Sequence, residues 1–214
     1  IAAVGQIKDA GLWGVKFYTS MNPAWIAPGA AEAHRLGLHV SGHVPATMRP
    51  LDAVRAGYDE ITHLNFIMMQ AMPQAVVDKS NTALRFEGPA KYAKDVDLDL
   101  PAMNAFVAEL KQSGTYVDPT LVIFEGNFLS EGGTTMPAYV PYVGIISPVV
   151  DRSFKAGGYP LVEGYTRADY AKSYAKMVEL LRKLHEAGVP VVAGTDGWGI
   201  EIVRELELYE TAGF

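Results

Sequence analysis

Val40-Ser41-Gly42-His43-Val44-Pro45, with Glu60-Ile61-Thr62-His63-Leu64 shortly after it, decides how this chain is read. Each stretch is a short apolar run that ends in a histidine. Between them, Pro50-Leu51-Asp52-Ala53-Val54-Arg55-Ala56-Gly57 has one apolar face and closes on glycine, which predicts a helix. Strand, helix and strand in so few residues form a βαβ unit, and its crossover makes the two strands parallel. Both histidines are then expected at the carboxyl ends of neighbouring parallel strands, where α/β sheets and barrels carry their chemistry.

The same alternation extends in both directions. Upstream, Ile1 to Gly11 reads as the second half of an amphipathic helix and Leu12 to Thr19 as a strand in which Lys16 and Tyr18 share one face. A lysine in so apolar a run is costly unless paired, modified or at the strand end. Pro28 to Gly37 reads as a helix with His34 on its polar side, and His39, Ser41 and His43 fall on one face of the strand that follows. Downstream, helices are expected over Pro73 to Ser80 and Leu100 to Ser113, joined by a polar link from Asn81 to Asp99. A strand follows near Tyr116, then a long irregular stretch from Glu125 to Gly164, and then a strong amphipathic helix from Arg167 to Gly188. His185 lies in the last turn of that helix, where a cation suits the helix dipole, and reads as structural. Val189 to Gly197 reads as a buried strand ending in Asp196. Met68 and Met69, in a stretch read as a loop from Asn65 to Gln70, and Met72 just after it are expected in the core. Five parallel strands are therefore predicted near residues 13–19, 38–44, 58–64, 115–120 and 189–195, in a single domain over residues 1–214.

Bulk properties bound the function. The chain has 214 residues, 49% of them hydrophobic and 20% charged, enough for a substantial core. A formal net charge of -6 without a Lys/Arg cluster argues against nucleic acid and anionic membrane as partners. Cysteine is absent, so any metal must be held by His, Asp, Glu or a modified Lys. Four strand ends carry such a group: Lys16, His43, His63 and Asp196. Each has an ordinary structural explanation alone; their joint placement at one end of successive strands points to a site.

Together, Gly14-Val15-Lys16-Phe17-Tyr18, Val40-Ser41-Gly42-His43, Ala56-Gly57-Tyr58-Asp59-Glu60-Ile61-Thr62-His63 and Glu186-Ala187-Gly188-Val189-Pro190-Val191-Val192-Ala193-Gly194-Thr195-Asp196, continuing into Arg204-Glu205-Leu206-Glu207-Leu208, resemble the metal-dependent amidohydrolase superfamily. The resemblance is to its imidazolonepropionase-like and prolidase-like branch. It implies an eight-stranded (β/α) barrel of which this chain holds about strands four to eight, a partial TIM barrel. Lys16 would be the fourth-strand lysine, carbamylated and bridging two metals; His43 and His63 would be the fifth- and sixth-strand ligands. Asp196 would be the eighth-strand acid, binding metal and taking a proton from the attacking water. Tyr18 would bind the substrate carbonyl or carboxylate. The implied cofactor is one or two divalent ions, Zn²⁺ foremost, and the implied substrate a cyclic amide or an Xaa-Pro-type dipeptide.

Two departures stand out. The five histidines, at 34, 39, 43, 63 and 185, include no His-x-His pair of the kind the family carries on its first strand, and Pro45 stands where many relatives have a further histidine. The chain thus reads as a C-terminal portion whose barrel is completed by an upstream segment or by self-association through open strand edges. The competing reading is a non-catalytic barrel fragment serving as a binding or association module. An unrelated sugar-phosphate barrel is disfavoured, because no Gly-rich phosphate loop follows the late strands.

Overall fold

The computed structural model describes residues 1–214. Four short strands form one parallel sheet in the order β1 (Gly14–Phe17), β2 (His39–Gly42), β3 (Glu60–Thr62) and β4 (Tyr116–Asp118). Helices α1 (Ala2–Asp9), α2 (Ile26–Arg35) and α3 (Pro50–Arg55) precede or connect the first three strands. Between β3 and β4 lie α4 (Leu64–Met68), α5 (Gln74–Val77), α6 (Leu84–Tyr92) and α7 (Pro101–Ser113). After β4 come α8 (Leu121–Leu129), α9 (Pro148–Ser153), α10 (Arg167–Ala187) and α11 (Ile202–Ala212). The parallel βαβ unit anticipated around the two histidines is present as β2-α3-β3, paired through Ser41↔Glu60 and Gly42↔Ile61.

The local logic follows the sequence. In α2, Ile26, Ala30 and Ala33 form the buried stripe. Thr166 opens α10 with a reciprocal capping box to Asp169, and Gly188 in the left-handed region closes it. The long α10 packs on α6, α8 and α11, and Tyr170, Met177, Leu180, Leu181 and Leu184 join one contiguous core with the sheet and Met68, Met69 and Met72. No helix is long and apolar enough to cross a membrane.

The fifth predicted strand is reduced to a single bridge. Val117 donates to the Pro190 carbonyl at 3.0 Å, and Val192 donates to the Val117 carbonyl at 3.0 Å, a parallel Val117↔Val191 pairing and no more. The next rung would need an N–H from residue 119, which is proline and has none. The Val192 carbonyl that this rung would use accepts instead from the Tyr209 hydroxyl at 2.9 Å. Residues 189–195 therefore follow the course of a strand without forming one.

Three stretches read as loops are partly helical. α4 starts at Leu64, the last residue of the predicted strand, and runs into Asn65–Gln70, and α6 lies within the polar link from Asn81 to Asp99. α6 holds Gly88 and Pro89, residues that punctuate helices in a sequence, yet both are buried, because tertiary packing overrides propensity. α8, the start of the supposedly irregular stretch, is Leu-Val-Ile-Phe-Glu-Gly-Asn-Phe-Leu. It packs against both α10 and α11, so it has no polar face to reveal a helical period.

Candidate functional site

Of the four groups singled out in the sequence, His43, His63 and Asp196 line one cleft, and Lys16 lies exposed on β1 outside its lining. His43 stands one residue past β2 and His63 one residue past β3. Gly42 makes the first placement possible: its φ is +137°, and a Cβ there would run into the Phe17 carbonyl oxygen, so glycine at this position is a steric requirement of the β1–β2 contact. His43 Nε2 and His63 Nε2 face each other at 3.0 Å. Asp196 arrives from the loop after the Val191 bridge, with a carboxylate oxygen 3.6 Å from His63 Nε2, beyond a good hydrogen bond. Lys16 and Tyr18 project from the end of β1. The Tyr18 ring centroid lies 4.6 Å from that of His43, and Lys16 Nζ lies 5.6 Å from the centre of the tyrosine ring.

Surrounding residues orient this cluster. The Thr120 hydroxyl meets His63 Nδ1 at 2.8 Å, which directs Nε2 at the cleft. Phe66 stacks on His43 with centroids 4.9 Å apart. His63, Thr120 and Asp196 have φ of +73°, +45° and +52°; only one other non-glycine residue, Thr47, has a positive φ. Such backbone cost persists where surrounding structure over-determines it, and it clusters at functional sites.

Both histidines are held neutral. Burial, the neighbouring His63 and the Lys16 cation push the pKa of His43 down to about 3. Burial, then Lys16 and Arg85, push that of His63 down to about 3. Neutral imidazoles are metal ligands, and His43 Nδ1 is buried without a hydrogen-bond partner. Asp118, at the end of β4, is pushed up to about 6, first by burial and then by Glu60. One of its carboxylate oxygens is buried and unpaired. The backbone of Gly194 passes so close that a Cβ there would lie 2.6 Å from both oxygens.

The donor chemistry suits a divalent ion of borderline softness, with two imidazole nitrogens and a carboxylate converging on one cleft. The match is partial, since no group of three or more His, Asp or Glu residues reaches metal-holding geometry together. His34 and His39 lie outside the cluster, paired with Asp59 and with Asp59 and Glu60 respectively, and His185 stacks on Phe214.

Four residues here escaped the sequence reading. Asn65, Arg85 and Thr120 line the cleft with His43, His63, Phe66 and Asp196, and Asp118 stands beside it under Gly194. Asp118 and Thr120 carried a signal, because Tyr-Val-Asp-Pro-Thr is an alternating run that ends in an acid and a hydroxyl, as Asp196 ends its own run. Arg85 carried none.

Similar folds occur among solved structures. A Xaa-Pro dipeptidase with methionine bound in its active site matches over 100% of this chain at TM-score 0.54 and 18% identity. A bottromycin amidohydrolase matches over 100% of it at TM-score 0.63 and 21% identity. Over its whole length the chain shares the fold of a part of each of these two structures. A third match, at TM-score 0.53 and 18% identity, is an uncharacterized protein. The chain spans less than half the length of these structures, 42% to 46%. No protein-family model matches the sequence. No curated relative matches it either.

Proposed function

We propose that this chain belongs to a hydrolase that cleaves an amide or peptide C–N bond with a metal-activated water, on strands four to eight of a (β/α)₈ barrel. One observation carries the reading: two neutral histidines meet at 3.0 Å, with an aspartate beside them, at the carboxyl ends of parallel strands. His43, His63 and Asp196 would hold the ion, Zn²⁺ foremost, and Lys16, carbamylated, would be a further ligand. The ion, when bound, supplies a Lewis acid that lowers the pKa of water and polarises the carbonyl. Asp196 takes the proton of the attacking water and returns it to the leaving nitrogen, a task suited to its exposed carboxylate. Tyr18, half exposed beside His43, donates a hydrogen bond to the substrate carbonyl or carboxylate. Thr120 keeps His63 in one orientation throughout. The fold shared with an amidohydrolase and a Xaa-Pro dipeptidase supports a cyclic amide or a dipeptide as substrate. β1 is hydrogen-bonded on one side only, so a further chain segment or a second copy would complete the barrel there.

The test is calorimetric titration of chelator-treated chain with Zn²⁺, paired with a screen of dipeptides for hydrolysis by the loaded chain. Binding weakened at least about tenfold by His43→Ala and by His63→Ala is expected. Absence of binding, or binding indifferent to both substitutions, refutes the metal site. A second reading, a non-catalytic binding or association module, rests on the lack of a His-x-His pair among the five histidines. It predicts no zinc affinity and no hydrolysis.

A further inference from the structure

We propose that Arg85 is the anion-binding residue of this cleft, and that it selects amides carrying a free carboxylate close to the scissile bond. The inference rests on the hydrolase reading for what the anchored molecule undergoes, and on separate observations for the anchor itself. Arg85 lies in the first turn of α6 and lines the same cleft as His43, His63 and Asp196. Its backbone is fixed: its N–H donates to the Thr82 carbonyl at 3.2 Å, and its carbonyl accepts from the side-chain amide of the almost wholly buried Asn65 at 2.9 Å. Its guanidinium lies 4.9 Å from the centre of the Phe86 ring. That contact holds the plane of the group without using its N–H donors.

Those donors meet no acceptor in the protein. Arg35, Arg55 and Arg204 each face a glutamate, whereas the half-buried Arg85 has no carboxylate within ion-pair reach. Asp196, the one acid lining the cleft, lies toward His63 instead. A partly desolvated cation without a partner is costly in the folded chain, and a ligand that brings the anion removes that cost. The planar fork of a guanidinium matches a carboxylate through two parallel hydrogen bonds. The enclosed space, about 50 Å³, holds a group of that size and leaves the rest of the molecule toward solvent. Because the arginine and the imidazoles share one small cleft, the anion and the reacting carbonyl must be separated by only a few bonds. A dipeptide or an N-acyl amino acid meets this condition, and a neutral amide does not.

The experiment measures calorimetric binding of N-acetylglycine, N-acetylglycinamide and inorganic phosphate to the full chain and to its Arg85→Lys and Arg85→Met variants, with thermal midpoints recorded for each. The acid is expected to bind at least about tenfold more tightly than the amide, the value of a charge-assisted pair. The gap should vanish in Arg85→Met and persist in part in Arg85→Lys; if Arg85→Met does not fold, Arg85→Lys alone must narrow it. Equal binding of acid and amide, a gap that survives Arg85→Met, or phosphate binding as tightly as the acid overturns the proposal. Hydrolysis is followed separately. Acid preference without turnover of any dipeptide counts against the hydrolase reading and leaves Arg85 in its role; turnover without acid preference does the reverse.

Discussion

Two polar regions meet at α8, and they treat their buried groups in opposite ways. On one side, α11 inserts Glu205, fully buried, under the start of α8, where its two carboxylate oxygens accept the N–H groups of Leu121 at 2.8 Å and Val122 at 2.7 Å. Beside it, Arg204 grips Glu125 through two nitrogens at 2.7 and 3.0 Å. These polar groups have their partners. On the other side, past the strand ends, His43 Nδ1 and one Asp118 oxygen have none, Arg85 has no carboxylate, and the two imidazoles face each other. The first arrangement anchors a helix end whose orphan N–H groups would otherwise be buried unpaired. The second leaves coordination capacity to be completed by a ligand. Thr120 joins them, since it precedes the α8 turn that Glu205 holds and its hydroxyl orients His63.

The largest expected effect is on stability. Glu205→Ala strands two buried N–H groups and should cost about 3 kcal/mol in urea unfolding. His43→Ala in the metal-free chain should cost less than about 1 kcal/mol, because its ring nitrogens satisfy little else. Equal losses would erase the distinction between the two regions.

The pH dependence should separate them next. Burial pushes the Glu205 carboxyl up to about 7, above its unfolded value, so its contribution is complete in acid and is lost as pH rises toward and through 7. The two histidines, pushed down to about 3, act the other way: their contribution is present above about pH 6.5 and is lost as pH falls toward 3. In chelator-treated protein, Glu205→Gln should flatten the decline on the neutral side, and His63→Gln the decline on the acid side. A single substitution that removed both slopes would mean the regions titrate as one.

Smaller in stability, but sharper for function, is Thr120→Val. It should cost about 1 kcal/mol in unfolding, the worth of one hydrogen bond. Zinc affinity should fall by about 10- to 100-fold through the loss of His63 orientation. Unchanged affinity would show that the hydroxyl does not position the ring.

The sequence by itself determined the parallel βαβ frame and the ends of its strands. Alternating short apolar runs, helices closed by Gly37, Gly57, Gly114 and Gly188, and histidines or acids at the run ends are local features set by backbone and side-chain periodicity. They were enough to bring His43, His63 and Asp196 to one cleft, with Lys16 exposed on β1 outside its lining. Only the tertiary structure decided the rest. The fifth strand shrank to one bridge because Pro119 lacks the next donor and Tyr209, from α11, takes the carbonyl. α6 and α8 formed against the local signals of Gly88 and Pro89 and of a largely apolar stretch without a helical period, because buried packing supplies what propensity does not. Arg85 entered the cleft through a helix that no periodicity announced, and Glu205 reached across 84 residues to cap α8. Such groupings depend on which surfaces fold together, which short-range pattern does not encode.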